Sequence, residues 1–203
     1  ETAFRMQFEA PEAFDLSKET DETLEIFVND TATTESYGWQ CLIARRLAER
    51  GVRFIELIDS SSSKNWDSHD DMAGHEPLAK KIDKPIAGLI QDLKRLGMLD
   101  DTLVVWTTEF GRTPGQDGAK GRGHHPACFS SWLAGGGVKP GLAYGATDDI
   151  SATVAEKKVH VHDFHATILH LLGLDHEKLT YRHAGRDERL TDVAGKFVEA
   201  VAG

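Results

Sequence analysis

Leu103-Val104-Val105-Trp106-Thr107-Thr108 is the clearest strand in the sequence, a run of β-branched and apolar residues that ends at Glu109. Just before it, residues 76–96 place apolar side chains at steps of three and four, which predicts a long amphipathic helix ending at Gly97. Pro85 lies inside this helix, so we expect a kink or a division there. A helix followed by an apolar strand is typical of α/β folds.

Further helices and strands alternate on both sides of this unit. We predict a helix from its N-cap Ser36 to Gly51, followed by a strand over 52–58. Residues 111–126, rich in glycine and charge, are predicted to form a loop. The other predicted elements are a strand over 128–134 and helices over 163–172 and 191–201. The alternation predicts an α/β fold with helical layers around a mostly parallel sheet.

The composition is that of a globular chain. Its 203 residues carry a formal net charge of −10, with 40% hydrophobic and 28% charged residues. Because an acidic surface repels phosphate backbones, we expect no nucleic-acid partner. No run of about 18 apolar residues occurs, so no membrane span is predicted. Cys41 and Cys128 stand outside any CxxC pattern and are interpreted as small apolar core residues rather than a disulfide.

The character of the sequence changes near residue 35. Residues 1–34 are polar and irregular, which predicts a peripheral arm, and residues 35–203 are predicted to form the folded domain. The sequence starts at Glu1 without an initiator methionine or an apolar leader. We therefore expect the chain to be the interior or C-terminal part of a longer protein.

Seven of the ten histidines fall in three short stretches, which favours metal chemistry. Ligands of open α/β sheets gather at the carboxyl ends of strands, and acidic residues follow two predicted strands here. If the strand over 128–134 pairs antiparallel beside 103–108, its start lies at the edge where 103–108 ends. His124 and His125, just before that start, then converge on Glu109. Such a mixture of carboxylate and imidazole suits Zn, Mn or another divalent ion. The predicted metal ligands are Asp67, His69, Glu109, His124 and His125.

Several of these residues also have a plain structural interpretation. Taken alone, Asp67 and His69 are interpreted as two residues that form hydrogen bonds within a loop. Taken alone, Glu109 is interpreted as a member of a surface ion pair. Their joint position at predicted strand ends favours the metal site. The later histidines, over 160–165, are interpreted as structural, because His162 or Asp163 can cap the helix that follows.

The predicted loop over 111–126 also carries three cationic side chains. They either bind an anionic substrate, since an arginine fork fits phosphate or sulfate oxygens, or form a solvated basic loop. Both interpretations stay open from the residues alone. These side chains are Arg112, Lys120 and Arg122.

Five motifs follow one another in an order that resembles a known family. They are Trp66-Asp67-Ser68-His69, Thr108-Glu109-Phe110-Gly111-Arg112-Thr113-Pro114, Gly123-His124-His125-Pro126, Trp132-Leu133-Ala134-Gly135-Gly136-Gly137 and Val161-His162-Asp163-Phe164-His165-Ala166-Thr167-Ile168-Leu169. Together they resemble the sulfatase-like bacterial proteins of unknown function in the alkaline phosphatase superfamily, over nearly the whole chain.

The resemblance implies a three-layer α/β/α sandwich of the alkaline-phosphatase type, of which this chain is the C-terminal portion. It also implies one or two divalent metals, Zn, Mn or Ca, and a Ser, Thr or formylglycine nucleophile. By motif, Asp67 and His69 hold one metal, and His124 or His125 supplies the late histidine. Glu109 stands in place of the Asp of an Asp-His pair. The nucleophile is expected outside this chain.

Two hypotheses for the function follow. In the first, the chain belongs to a metal-dependent hydrolase of small anionic sulfate or phosphate esters, in which Arg112 helps to hold the anion. In the second, it is a catalytically inactive binding or scaffolding module, because Phe110 and Gly123 stand where active superfamily members carry ligands. We expect either the missing N-terminal half or another copy of the chain to complete an open edge of the sheet. Localisation stays open, although relatives of this type often begin with an export signal.

Overall fold

A computed structural model describes residues 11–27, 36–59 and 65–203. Contacts within the chain define two compact units. The first contains residues 1–98 together with 118–121, and the second contains residues 99–117 and 122–203. The predicted arm over 1–34 and domain over 35–203 follow a different division of the chain, which stays a prediction.

Three helices build the first unit. They are α1 (Asp21–Phe27), α2 (Tyr37–Glu49) and α3 (His75–Arg95), with shorter helical turns at 11–14, Leu16–Lys18 and Met72–Gly74. The helix predicted from Ser36 is confirmed, because the Ser36 side chain accepts a hydrogen bond from the Trp39 backbone N–H at 3.0 Å. Gly51, at φ +79°, follows its end in the left-handed conformation. The second predicted helix is also confirmed, and it is not divided at Pro85, which is buried within it.

An apolar core joins the three helices. Phe27, Tyr37, Cys41 and Leu42 are buried, and partly buried apolar side chains pack around them from α1, α3 and the segment after α2. Both cysteines are free and buried, as the sequence predicts. Burial raises the pKa of the Cys41 thiol to about 12, so it stays protonated and unreactive at neutral pH.

Arg46 ties the polar segment before α1 to α2. Its side chain is buried, and its guanidinium donates to the backbone carbonyl oxygens of Glu12 at 2.6 Å, Ala13 at 2.7 Å and Asp15 at 2.8 Å. The guanidinium also forms an ion pair with Glu19. One side chain thus satisfies three carbonyl groups that end a short helical turn, which is a role that hydrogen-bonded arginine fills well.

Arg45, the neighbour of Arg46, connects α2 to α3. Its guanidinium lies 2.7 Å from a Glu19 oxygen and 2.6 Å from a Glu49 oxygen. Arg45 Nε lies 3.0 Å from Oδ2 of Asp92, a side chain of α3 with no exposed surface. Neither atom has a hydrogen-bond partner among the described residues, so this contact is an ion pair and not a hydrogen bond. The charges are neutralised, and Arg95 adds a second cation at 2.6 Å from Asp92.

Replacing Arg46 by methionine should lower the free energy of unfolding by about 3 kcal/mol or more, because the carbonyl groups and Glu19 lose a buried cationic partner. Urea denaturation measures this loss. The matched control is Arg50→Met, which removes an exposed arginine four residues further along and should cost less than about 1 kcal/mol. Equal losses in the two variants would contradict the role given to Arg46.

Short strands in pairs follow α3. The pairs are β1 (Val104–Trp106) with β4 (Trp132–Ala134), β2 (Gly111–Asp117) with β3 (Gly121–His125), β5 (Ala146–Thr147) with β6 (Val154–Glu156), and β7 (Tyr181–His183) with β8 (Arg186–Glu188). One helix, α4 (Val161–Leu171), lies between β6 and β7. The strands near 103–108 and 128–134 pair antiparallel, which is the condition under which the predicted ligands were expected to converge, with Val104 opposite Ala134 and Trp106 opposite Trp132.

The predicted fold class is wrong. The described residues form four separate two-stranded sheets with antiparallel pairing instead of a three-layer α/β/α sandwich around a mostly parallel sheet. Residues 52–58, predicted as a strand, have no assigned strand, and Phe54 and Ile58 are exposed. Their β-branched composition indicates an extended chain, but a strand forms only when a neighbouring strand supplies its hydrogen bonds.

Two other predicted elements differ in the second half of the chain. Residues 111–126 form the hairpin of β2 and β3 rather than a loop, and the Asp117-Gly118 pair at its turn is a hairpin signal. The predicted helix over 191–201 is reduced to a short turn at Glu199–Val201. Gly195 interrupts it at φ +97°, a conformation that a helix excludes.

The helix predicted over 163–172 is confirmed as α4, but its cap differs. His160 Nδ1 accepts from the His162 backbone N–H at 3.2 Å, and Asp163 Oδ2 accepts from the His160 backbone N–H at 3.0 Å. This reciprocal pair is a capping box, which gives these residues a structural role. Within the described ranges, no helix is both long enough and apolar enough to cross a membrane.

Candidate metal centre

The loop that carries Asp67 and His69 is anchored on both sides. Asp59 accepts hydrogen bonds from Trp66 Nε1 at 2.8 Å and from Lys81 Nζ at 2.7 Å. His75, the first residue of α3, places its Nε2 at 2.8 Å from the Trp66 backbone oxygen, and the Trp66 and His75 rings meet edge to face. These contacts fix the position of Trp66, the residue directly before Asp67, and so constrain where the loop begins.

Asp67 and His69 form a pair within this loop. His69 Nε2 lies 3.1 Å from Asp67 Oδ1, with 41% of the His69 and 59% of the Asp67 side chain exposed. Alternate residues of an extended loop point the same way, which explains why the spacing of two brings these groups together. A carboxylate and an imidazole at this distance are both first-choice ligands of borderline divalent ions.

The turn of the β2–β3 hairpin is hydrogen-bonded to the residues that follow His69. The Lys120 backbone N–H donates to the Asp70 oxygen at 2.8 Å, and the Met72 backbone N–H donates to the Lys120 oxygen at 3.3 Å. Gly121 then passes so close to the loop that an added Cβ would overlap the His69 carbonyl group. Only glycine allows this approach, and β3 continues from it to His124, three residues further on.

Asp67 and His69 offer two ligand atoms to a possible metal ion within the first unit. Ligands at about 2.1 Å from a tetrahedral ion are about 3.4 Å apart, which is close to the 3.1 Å between Asp67 Oδ1 and His69 Nε2. The described residues therefore contain a possible metal-binding pair, which is part of the five-residue site expected from the sequence. His124 belongs to the second unit, and its role as a third ligand stays a prediction.

The other predicted site residues lie outside this pair. Glu109 is exposed at the end of the β1 region, and His125 follows His124 on β3, where alternation directs it to the opposite face of the strand. Arg112 lies on β2 and donates from Nη1 to the Arg122 backbone oxygen at 3.2 Å. The assignment of Glu109 and His125 as ligands, and of Arg112 as an anion-binding residue, stays a prediction.

Sequence reasoning missed the residues that position the ligands. Asp59 belongs to no recognised motif, so its hydrogen bond with Trp66 has no sequence signature. Gly121 was detectable in principle, because an isolated glycine in a strand often marks a close backbone approach. That inference needed the hairpin, which the Asp117-Gly118 pair indicates.

The chain belongs to a family of proteins of unknown function, DUF1501, whose family model matches residues 1–202. No curated protein and no solved structure matches it. The identification with the sulfatase-like proteins of the alkaline phosphatase superfamily is therefore wrong, because the family that matches has no assigned function and nothing shows such a relationship. The motifs behind it are short, and glycine, histidine and acidic residues like theirs recur in unrelated loops.

Gly121→Ala should weaken Zn²⁺ binding at least tenfold although Gly121 offers no ligand atom. The new methyl group would overlap the His69 carbonyl group, so the loop must shift there and the His69 ring moves away from Asp67. Isothermal titration of the chelator-treated chain with Zn²⁺ measures the change. Gly115→Ala is the control on the same hairpin, because an added Cβ there meets no atom within 4 Å. Full affinity in the Gly121 variant would show that the close approach does not hold the Asp67–His69 pair.

Proposed function

We propose that the chain binds one divalent metal ion through Asp67, His69 and His124 and forms part of a metal-dependent hydrolase of phosphate or sulfate esters. The observation that carries this triad of proposed ligands is the Asp67–His69 pair, whose ligand atoms lie 3.1 Å apart in an anchored loop. The turn of the β2–β3 hairpin, from which β3 leads to His124, shares backbone hydrogen bonds with this loop through Asp70, Met72 and Lys120.

The chemistry of the donor set fits a working metal site better than a purely structural one. One carboxylate and two imidazoles match the three-ligand sets of catalytic zinc sites, whereas structural zinc sites are closed by four protein ligands. The Asp67 and His124 side chains are exposed, and His69 is half-buried. Solvent and a small substrate therefore have access to the remaining coordination positions.

The charge of the hairpin supports an anionic substrate. Although the chain is acidic overall, β2, β3 and their turn carry three cationic side chains, Arg112, Lys120 and Arg122, against the single carboxylate of Asp117. The Arg112 and Arg122 guanidiniums each donate to a backbone oxygen of the hairpin, which holds them in place. Arginine forks bind phosphate and sulfate oxygens, so these residues would orient such an ester.

The proposal gives the metal ion, its three ligands and Arg112 separate roles. A divalent ion supplies Lewis-acid polarisation of an ester oxygen and partly neutralises developing negative charge. Asp67 supplies the anionic ligand, His69 and His124 supply neutral ones, and Arg112 holds the non-reacting oxygens of the anion. We assign no nucleophile to the described residues.

The test is the metal content of the chain purified without chelators, measured by elemental mass spectrometry, together with turnover of p-nitrophenyl phosphate and p-nitrophenyl sulfate. We expect near-stoichiometric Zn or Mn in the chain, and a measurable rate with one of the esters when the part of the protein that supplies the nucleophile is present. Asp67→Asn should lose the metal and the rate. Asp83→Asn, which changes an exposed carboxylate of α3 in the same way, should retain both.

Each outcome separates the parts of the proposal. Metal retained in Asp67→Asn would contradict the site. Metal bound at the site without turnover of either ester would contradict the hydrolase and favour the alternative function, a metal-binding module without catalytic activity.

A further inference from the structure

We infer that Phe110 is a positioning residue for His124 and sets the metal affinity of the triad. This inference rests on the proposed function, since it concerns how one of the three proposed ligands is held. Phe110 itself offers no ligand atom. It lies directly before β2, and His124 lies near the end of β3, so the hairpin brings the two side chains to the same end of the strand pair.

The Phe110 and His124 rings are stacked. Their centroids are 4.1 Å apart and their planes differ by 30°. Stacking covers one face of the imidazole and leaves the ring edge, which carries Nδ1 and Nε2, outside the contact. A stacked ring therefore restricts the side-chain torsions of His124 without blocking the atoms that bind metal.

Phe110 is held in place by its own surroundings. Thr108 Oγ1 donates to the Phe110 backbone oxygen at 2.8 Å. At Gly111, an added Cβ would overlap the Cys128 carbonyl oxygen and lie 3.1 Å from Phe129 Cβ, so the backbone next to Phe110 passes tightly against residues 128–129. A side chain on a backbone fixed in this way is a firm support for the ring that it contacts.

The backbone next to His124 is fixed as well. The Gly123 N–H donates to Thr113 Oγ1 at 3.0 Å, a bond from β3 to a side chain of β2. The backbone beside each of the two stacked rings is therefore anchored, and the ring contact further restricts the side-chain torsions of His124.

Two physical effects connect this contact to affinity. An imidazole that is already restricted loses less rotational freedom when it binds a metal ion than a free one does. A metal-bound imidazole also carries part of the positive charge, which the face of a phenyl ring attracts. Both effects favour the bound state. Removal of groups that orient a metal-binding histidine typically costs 10- to 100-fold in affinity.

The experiment compares Phe110→Leu and Phe110→Tyr with the unaltered chain. We expect Phe110→Leu to raise the dissociation constant for Zn²⁺ about tenfold or more, and Phe110→Tyr, which keeps the aromatic face, to stay within about threefold. The Co²⁺-loaded chain gives a visible spectrum that reports on ligand geometry, and this spectrum should change only in the leucine variant. Thermal unfolding of the metal-free proteins shows whether each variant is folded.

Phe164→Leu is the matched control. Phe164 is a second phenylalanine beside a histidine, with its ring edge to face with His165 at 6.1 Å, and its loss should leave Zn²⁺ affinity unchanged. An unaltered dissociation constant in Phe110→Leu, or equal losses in the leucine and tyrosine variants, would overturn the inference while leaving the metal site intact. Absence of Zn²⁺ binding by the unaltered chain would instead overturn the proposed function.

Discussion

Two adjacent buried guanidinium groups on α2 hold the first unit together. Arg46 satisfies backbone carbonyls of the segment before α1, and Arg45 faces Asp92, a carboxylate of α3 with no exposed surface. Buried charges are costly to desolvate, so they persist only when each has an opposite charge or a hydrogen bond. Glu19 and Glu49 supply the remaining negative charge. The network constrains the two helices and the chain before them to one arrangement.

The same helix connects this network to the candidate metal centre. Asp92 lies near the C-terminal end of α3, and His75 and Lys81 lie near its N-terminal end. His75 contacts the Trp66 backbone oxygen, and Lys81 pairs with Asp59, which in turn accepts from Trp66. A helix of 21 residues is a rigid spacer of about 30 Å, so the loop is anchored to an element whose position the ion pairs determine.

The sequence predicted what local rules govern and missed what depends on distant partners. Ser36 marks a helix start, and the apolar runs near 103–108 and 128–134 mark two strands that the structure contains as β1 and β4. Residues 52–58 have strand-like composition but no pairing partner among the described residues, which no local pattern reveals. Asp67 and His69, two of the predicted ligands, form a pair in their loop, and the assignment of His124 as a ligand stays a prediction. The contacts that hold them, above all the close approach at Gly121, depend on the hairpin.

The central claim is that the loop and the hairpin present three ligands to one metal ion. Crystals of the chain grown with Zn²⁺ and measured at the zinc absorption edge test it most directly through the anomalous difference density. We predict a single strong peak about 2.0–2.2 Å from an Asp67 oxygen and from a ring nitrogen of both His69 and His124. A peak that is absent there, or that lies on other residues while these three stay apart, would contradict the account.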